Sequence, residues 1–284
     1  MARLYVIGGT GTVGSLVVQE LVKQRGTQVT VYARSPAKVL QADNVTIVQG
    51  DLDDLTPFEK SISGHDRLFL LVPDRSDLDK IMITISKTAY VAGIKQILDI
   101  SSTTLPSRTF SIDHKHHVAE EAIYAIPKRS AYISIRPTNF MTNTLFLVHT
   151  IKNHDFIMDS ADPEELQEWI SPFDIAQVAA RILQDPIEKH GDAAYELIGD
   201  LKTPLQRAFI LSNVLGRTIT YKQVSAQELY DHFLEFTKNH NISYFLSTFQ
   251  RSNPVTRGLS VLLGGRIPES YETWATKNKQ AFLK

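Results

Sequence analysis

The sequence contains no cysteine. That excludes disulfides, thiolate metal sites and a cysteine nucleophile. Neither sign of charge is in excess: 30 Lys and Arg stand against 31 Asp and Glu, a formal net charge of -1. Dense Lys/Arg runs are missing too, so no binding to nucleic acid or to an anionic membrane is expected. No apolar stretch approaches the ~20 residues needed to span a bilayer. MARLYVIGG at the N-terminus passes straight into an apolar run, with no charged-then-apolar leader. These absences predict a soluble, cytoplasmic protein. GxSxG and HExxH patterns are absent, which argues against a serine hydrolase and a zincin. No internal repeat or low-complexity linker divides the chain.

What is present is a regular alternation. Short β-branched runs at Leu4–Ile7, Gln28–Tyr32, Val45–Val48, Arg67–Val72 and Gln96–Ile100 read as buried parallel strands. Segments of helical spacing lie between them, with Val13, Val17 and Leu21 in the first and Leu78, Ile81 and Ile85 in a later one. A sixth strand is expected at Ala131–Arg136, ended by Pro137. The fold class is therefore α/β: a Rossmann, doubly wound parallel sheet with a smaller C-terminal α/β lobe. Residues 1–150 are expected to form the dinucleotide-binding domain, and 151–284 a cover lobe packed on it without a tether. In the second half, helices are expected at Asp174–Leu183, Thr203–Leu215 and Gln227–Thr237, and strands at Ala194–Ile198 and Ile219–Val224. The acidic run Glu164–Glu168 reads as a solvated helical face. The aromatics between Phe233 and Phe249 read as core or as a lid.

Gly8, Gly11 and Gly14 are spaced GxxGxxG between the first strand and the first helix. A residue without a β-carbon permits a tight turn and close approach of backbone to a diphosphate. The helix N-terminus beyond the turn offers free N–H groups and the positive end of its dipole. Gly8, Thr10, Gly11, Thr12, Val13 and Gly14 are thus the candidate diphosphate cradle.

In this motif an acid after the second strand usually binds the ribose hydroxyls of NAD. Here the segment reads Tyr32-Ala33-Arg34-Ser35. A carboxylate would repel a 2′-phosphate, whereas a guanidinium binds one bidentately. Ser35 can donate as well, and Lys38 adds a point charge. NADP(H) is therefore expected in preference to NAD(H); the alternative is a solvated arginine at a loop edge. Asp51, with Leu52 next to it, stands where a carboxylate could accept from the adenine amino group, or simply cap a turn. Val72 and Pro73 end the fourth strand, where a loop would pass the nicotinamide-side ribose. Ser101 and Ser102 end the fifth; Ser101 is a candidate cofactor contact and Ser102 a candidate substrate contact, with turn capping the alternative for both.

GGTGTVG, Arg34, the Gly-Asp after the third strand and SIRPTNFMTN at 134–143 together resemble the NmrA-like branch of the atypical short-chain dehydrogenases/reductases. ISPFDIAQVAARIL, YELIGD and LGRTITYKQVS extend the resemblance over most of the chain, weakest after residue 225. The wider superfamily uses a Tyr-x-x-x-Lys pair for proton transfer. Aligned on Glu121-Ala122-Ile123, the tyrosine position falls on Ile112 and the lysine position on His116. The acid is thus missing, while His116 and Glu120 make the HxxxE that the NmrA-like branch often carries. His116 is the one candidate catalytic residue, and it could also hold the ribose. The resemblance further implies that Pro137 lies on the cofactor side, and that Asn139, Phe140 and Asn143 face substrate.

Reduction of a quinone yields a stabilised phenolate and needs little help from an acid, unlike reduction of a simple ketone. The expectation is an NADPH-dependent oxidoreductase of a quinone or similar electron-poor carbonyl. The alternative is a non-catalytic redox sensor that binds NAD(P) and contacts a protein partner. His114 and His117 share a helix side, but with no third ligand in view a metal is not expected.

Overall fold

The computed structural model describes residues 2–24, 26–103, 112–248, 259 and 262–283. From the N-terminus the elements are β1 (Arg3–Ile7), α1 (Thr12–Val22), β2 (Gln28–Ala33), β3 (Val45–Gln49), α2 (Thr56–Ser61), β4 (Arg67–Leu70), α3 (Leu78–Val91), β5 (Gln96–Ile100), α4 (Ile112–Tyr124) and β6 (Ala131–Pro137). Next come β7 (Asn139–Phe140), α5 (Val148–His154), β8 (Phe156–Asp159), β9 (Gln167–Ile170), α6 (Pro172–Ile182), α7 (Ile187–His190), β10 (Ala194–Leu197) and β11 (Asp200–Lys202). The chain continues with α8 (Pro204–Leu215), β12 (Thr220–Gln223), α9 (Ala226–Thr237), α10 (His240–Thr248) and α11 (Tyr271–Lys277).

Two compact units emerge. The first comprises the described residues of Met1–Arg108, Asp113–Pro137 and Ile175–Glu196; the second those of Thr109–Ile112, Thr138–Asp174 and Leu197–Lys284. A seven-stranded sheet runs in the order β10-β6-β5-β4-β1-β2-β3. Strands β1 to β6 pair in parallel, for example Ile7 beside Tyr32 on one side and Leu70 on the other. Both faces are covered, so these strands are apolar along their length: Leu4 to Ile7 and Leu68 to Leu70 are all buried. Helix α1 places Val13, Val17, Val18 and Leu21 in that core. Truncating a wholly buried leucine such as Leu21 would cost about 2–5 kcal/mol. The order reverses between β1 and β4, which opens a crevice at the C-terminal ends of those strands.

In the second unit β7 and β9 pair in parallel and β9 and β11 antiparallel, while β8 and β12 form a separate parallel pair. Leu211, Tyr271, Trp274 and Phe282 lie in its core. Capping boxes start two of its helices, Thr203 with Gln206 and Ser225 with Glu228. Gly216, at φ 70°, ends α8 in the left-handed conformation that favours glycine.

One expectation is overturned. Glu164–Glu168 is not a solvated helical face, because β9 begins at Gln167 and carries Glu168 inward. Glu168 is buried and accepts a hydrogen bond from Thr138 Oγ1 at 3.1 Å. Of the aromatics between Phe233 and Phe249, Phe233 joins the core, whereas Phe236 and Tyr244 are about half exposed. The Phe245 side chain and Phe249 lie outside the described residues. No helix among the described residues is long and apolar enough to cross a membrane.

Candidate functional site

A groove of about 290 Å³ lies in the first unit over the C-terminal ends of β1, β2, β3 and β4. Its floor is the turn from β1 into α1. Gly8 has φ 87°, and a β-carbon on it would stand 2.5 Å from the Leu71 carbonyl oxygen. Gly14 is closer still: its β-carbon would meet the Gly8 oxygen at 2.1 Å. Gly11 caps α1 and differs from both, because a β-carbon there would meet only that oxygen, at an ordinary 3.5 Å. Gly8 and Gly14 are thus required by the turn itself, whereas Gly11 leaves the groove floor open. The first-turn amides of α1 have no acceptor within the helix.

Arg34, Ser35 and Lys38 line the far wall with Tyr32 and Ala33; Gly50, Asp51 and Leu52 continue it. Leu71, Pro73 and Arg75 line the opposite wall. Arg34, Lys38 and Arg75 line the groove with one carboxylate, Asp51; Arg75 is already paired with carboxylates, so Arg34 and Lys38 carry the charge suited to a polyanion. Arg34 is largely exposed and lies 3.9 Å from Asp51. Arg75 is held by Asp53 and Asp77, each at 2.5 Å. Tyr32 shapes the wall: its hydroxyl donates to the carbonyls of Asp51 (2.7 Å) and Asp54 (3.0 Å). A β-carbon on Gly50 would stand 2.3 Å from the Tyr32 ring.

Of the residues singled out in the sequence, Gly8, Thr10, Gly11, Arg34, Ser35, Lys38, Asp51, Leu52 and Pro73 come together on this groove. Thr12 is exposed at the start of α1; Val13, Gly14 and Val72 are buried behind the lining. Arg75, Tyr32 and Gly50 complete the site. Gly50 is the glycine of the Gly-Asp motif, but nothing in the spacing around Arg75 marks it.

A polar cluster sits between β5, α4 and β6 in the same unit. Glu120, buried on α4, accepts from Ser101 and Arg136, and from Ser134 Oγ at 2.8 Å. Burial alone would raise the Glu120 carboxyl, but the hydrogen bonds from Arg136 and Ser101 prevail and hold it below its usual range. Asp99, wholly buried on β5, behaves oppositely. Burial, reinforced by the charge of Glu120, lifts its carboxyl well above the usual range, against the pull of Tyr132, Ser134 and Arg136. Burial likewise raises the Tyr132 hydroxyl, with Asp99 adding to the effect. Ser101 is thus committed to Glu120. His116 is half-buried on α4 one turn before Glu120; Ser102 is half-buried, and Pro137 is buried at the end of β6. The side chain of Ile112 lies outside the described residues. His117 pairs with Glu121 at 3.3 Å, and the described residues contain no cluster of three metal-ligating side chains.

In the second unit Asn139 and Asn143 line a separate, smaller cavity, and half-buried Phe140 does not line it.

The profile of the NmrA-like family matches residues 2–277. The chain belongs to that family. An NAD(P)H azoreductase of Xenophilus azovorans is 28% identical over 238 residues, 79% of this chain and 78% of the azoreductase. Among solved structures, an NADPH-dependent quinone oxidoreductase of Escherichia coli in complex with NADPH superposes with a TM-score of 0.82 at 21% identity, covering 98% of this chain and 99% of its own. NmrA, a negative transcriptional regulator solved with NADP, superposes at 0.75 with 17% identity, covering 97% and 94%. At these identities the structural likeness establishes the fold, an NmrA-like Rossmann sheet.

Proposed function

We propose that this NmrA-like protein binds NADP(H) in the groove over β1 to β4 and reduces a quinone or another small, electron-poor carbonyl compound. The observation that carries the reading is the charge and shape of the groove: a glycine floor at a helix N-terminus, walled by Arg34, Lys38 and Arg75. The fit of a dinucleotide rests on positions a β-carbon would fill, Gly8 and Gly14, and on Gly11, which leaves the approach to the α1 amides open. Arg34, Ser35 and Lys38 would hold a 2′-phosphate, and Thr10 and Gly11 the diphosphate. When bound, the nicotinamide supplies a hydride.

This chain's own residues narrow the acceptor. By the resemblance, the place of the superfamily's proton-donating tyrosine falls on Ile112, which cannot donate. A product that leaves as a stabilised phenolate suits such a site, and a simple alcohol does not. His116 is the group on α4 suited to hold the ribose or return a proton near neutrality. The azoreductase and quinone oxidoreductase among the relatives support this reading; NmrA, with the missing tyrosine, supports a second one, a dinucleotide sensor without turnover. Mixing the protein with NADPH and a panel of quinones, and monitoring the absorbance of the reduced nicotinamide, separates the two. Sustained oxidation abolished by Gly11→Ala supports the reductase. Tight binding with no turnover on any acceptor supports the sensor.

A further inference from the structure

Strands β3 and β4 are not neighbours in the sheet: β2 and β1 lie between them. Three strand spacings separate the two, about 14 Å. Yet Asp53, in the turn after β3, and Arg75, in the loop after β4, come together, with Asp53 Oδ1 and Arg75 Nη2 2.5 Å apart. A contact between those two loops has to pass over the C-terminal ends of β1 and β2, where the groove lies.

Each end of this bridge is anchored on its own side. The Tyr32 hydroxyl holds the carbonyls of Asp51 and Asp54, on either side of Asp53, and the Asp53 amide donates to Asp51 Oδ1 at 3.0 Å. Across the groove, Arg75 Nε donates to Asp77 Oδ1 at 2.5 Å, and Lys115 Nζ on α4 donates to the carbonyls of Arg75 and Ser76. The link between the two anchored loops is a pair of side chains, and its acid is exposed: the Asp53 side chain is 74% accessible. Arg75 lines the groove and Asp53 does not. Breaking so exposed a pair shifts an equilibrium by about two- to fivefold, enough to open and close readily.

We propose that the Asp53–Arg75 pair is a clasp across the groove, which parts to let a dinucleotide enter or leave and re-forms over the bound molecule. The identity of the passing ligand rests on the dinucleotide reading above; the clasp itself does not. A strap that obstructs passage in both directions changes the two rates together and leaves affinity nearly alone. A charge acting at a distance does otherwise: loss of an acid near the groove would speed the arrival of an anion and slow its departure.

Asp53→Ala removes the clasp at a position exposed enough to leave the fold intact. Stopped-flow binding of NADPH, read by the fluorescence of the reduced nicotinamide, gives both rate constants. Association and dissociation should each rise by about the same factor, roughly two- to fivefold, the effect of losing an exposed ion pair. A dissociation rate that is unchanged or lower overturns the clasp, and so does a rise in dissociation alone. A second measurement needs no cofactor. The chain has no cysteine, so Ala33→Cys puts a lone thiol in the groove lining at the end of β2, one of the spanned strands. The rate of its labelling by pyrene maleimide, divided by the rate with the smaller iodoacetamide, reports access by size and cancels changes in thiol reactivity. Adding Asp53→Ala should raise this ratio by about the same two- to fivefold; an unchanged ratio overturns the clasp. A raised ratio in a protein that binds no NADPH would remove the dinucleotide reading and leave the clasp in place.

Discussion

The Arg34 guanidinium stands 3.9 Å from the Asp51 carboxylate across the mouth of the groove. With Arg34 largely exposed, the pair is a weak surface interaction, worth about 0–1 kcal/mol. A phosphate that offers two charge-assisted hydrogen bonds displaces Asp51 easily. Arg34→Asp should therefore weaken NADPH binding by about 1.5–3 kcal/mol and move preference towards NADH. Asp51→Asn, which removes the competitor, should strengthen NADPH binding a few-fold. Calorimetric titration of both variants with both cofactors checks this; an unchanged NADPH to NADH ratio in Arg34→Asp would show that Arg34 does not read the 2′ position.

Gly11 and Gly14 should respond differently to the same substitution. A methyl at Gly14 collides with the Gly8 carbonyl at 2.1 Å, so Gly14→Ala should shift the turn and destabilise the fold by about 1–3 kcal/mol. A methyl at Gly11 meets nothing closer than 3.5 Å and should leave the melting temperature within a degree or two. It projects where a diphosphate would approach, so dinucleotide affinity should fall more than tenfold. Thermal melts with and without NADPH separate the two effects.

How far the sequence alone reaches depends on the physics of each element. The glycine turn is legible because Gly8 and Gly14 answer local demands, a positive φ at the first and close approach at the second. The strands of the first unit are legible because a sheet covered on both faces needs unbroken apolar runs. Strands β7, β8, β9 and β11 span only two to four residues, too few to display a period. Glu168 escapes a reading of the sequence for that reason: it is carried inward on β9, and its partner Thr138 lies thirty residues away. Arg75 reaches the groove only because β4 lies beside β1, a tertiary fact without a local signature. The opposite proton affinities of Asp99 and Glu120 likewise depend on which of them Arg136 reaches.

The buried carboxylates predict a pH dependence of stability. Asp99 has a folded-state pKa above its unfolded value. As pH rises past the unfolded carboxylate value, about 4, the unfolded chain releases this proton while the folded chain keeps it, so Asp99 makes stability fall. Glu120 acts in the opposite sense: its folded pKa is depressed, so its contribution is present above its unfolded value and lost as pH falls. Asp99→Asn should raise stability at neutral pH by about 1 kcal/mol or more and flatten the decline between mildly acidic and neutral pH. Glu120→Gln should do the reverse, costing about 3–5 kcal/mol, because Arg136 loses its counter-charge. Urea unfolding of each variant at mildly acidic and neutral pH measures both signs.

The central claim is that the groove formed by the glycine turn and walled by Arg34 and Lys38 is a dinucleotide site that favours a 2′-phosphate. Isothermal titration of the unmodified protein with NADPH and then NADH tests it most directly. The account predicts one site per chain, bound by both cofactors, with NADPH at least about tenfold tighter, the worth of one charge-assisted contact. No heat with either cofactor, or tighter binding of NADH, would contradict it.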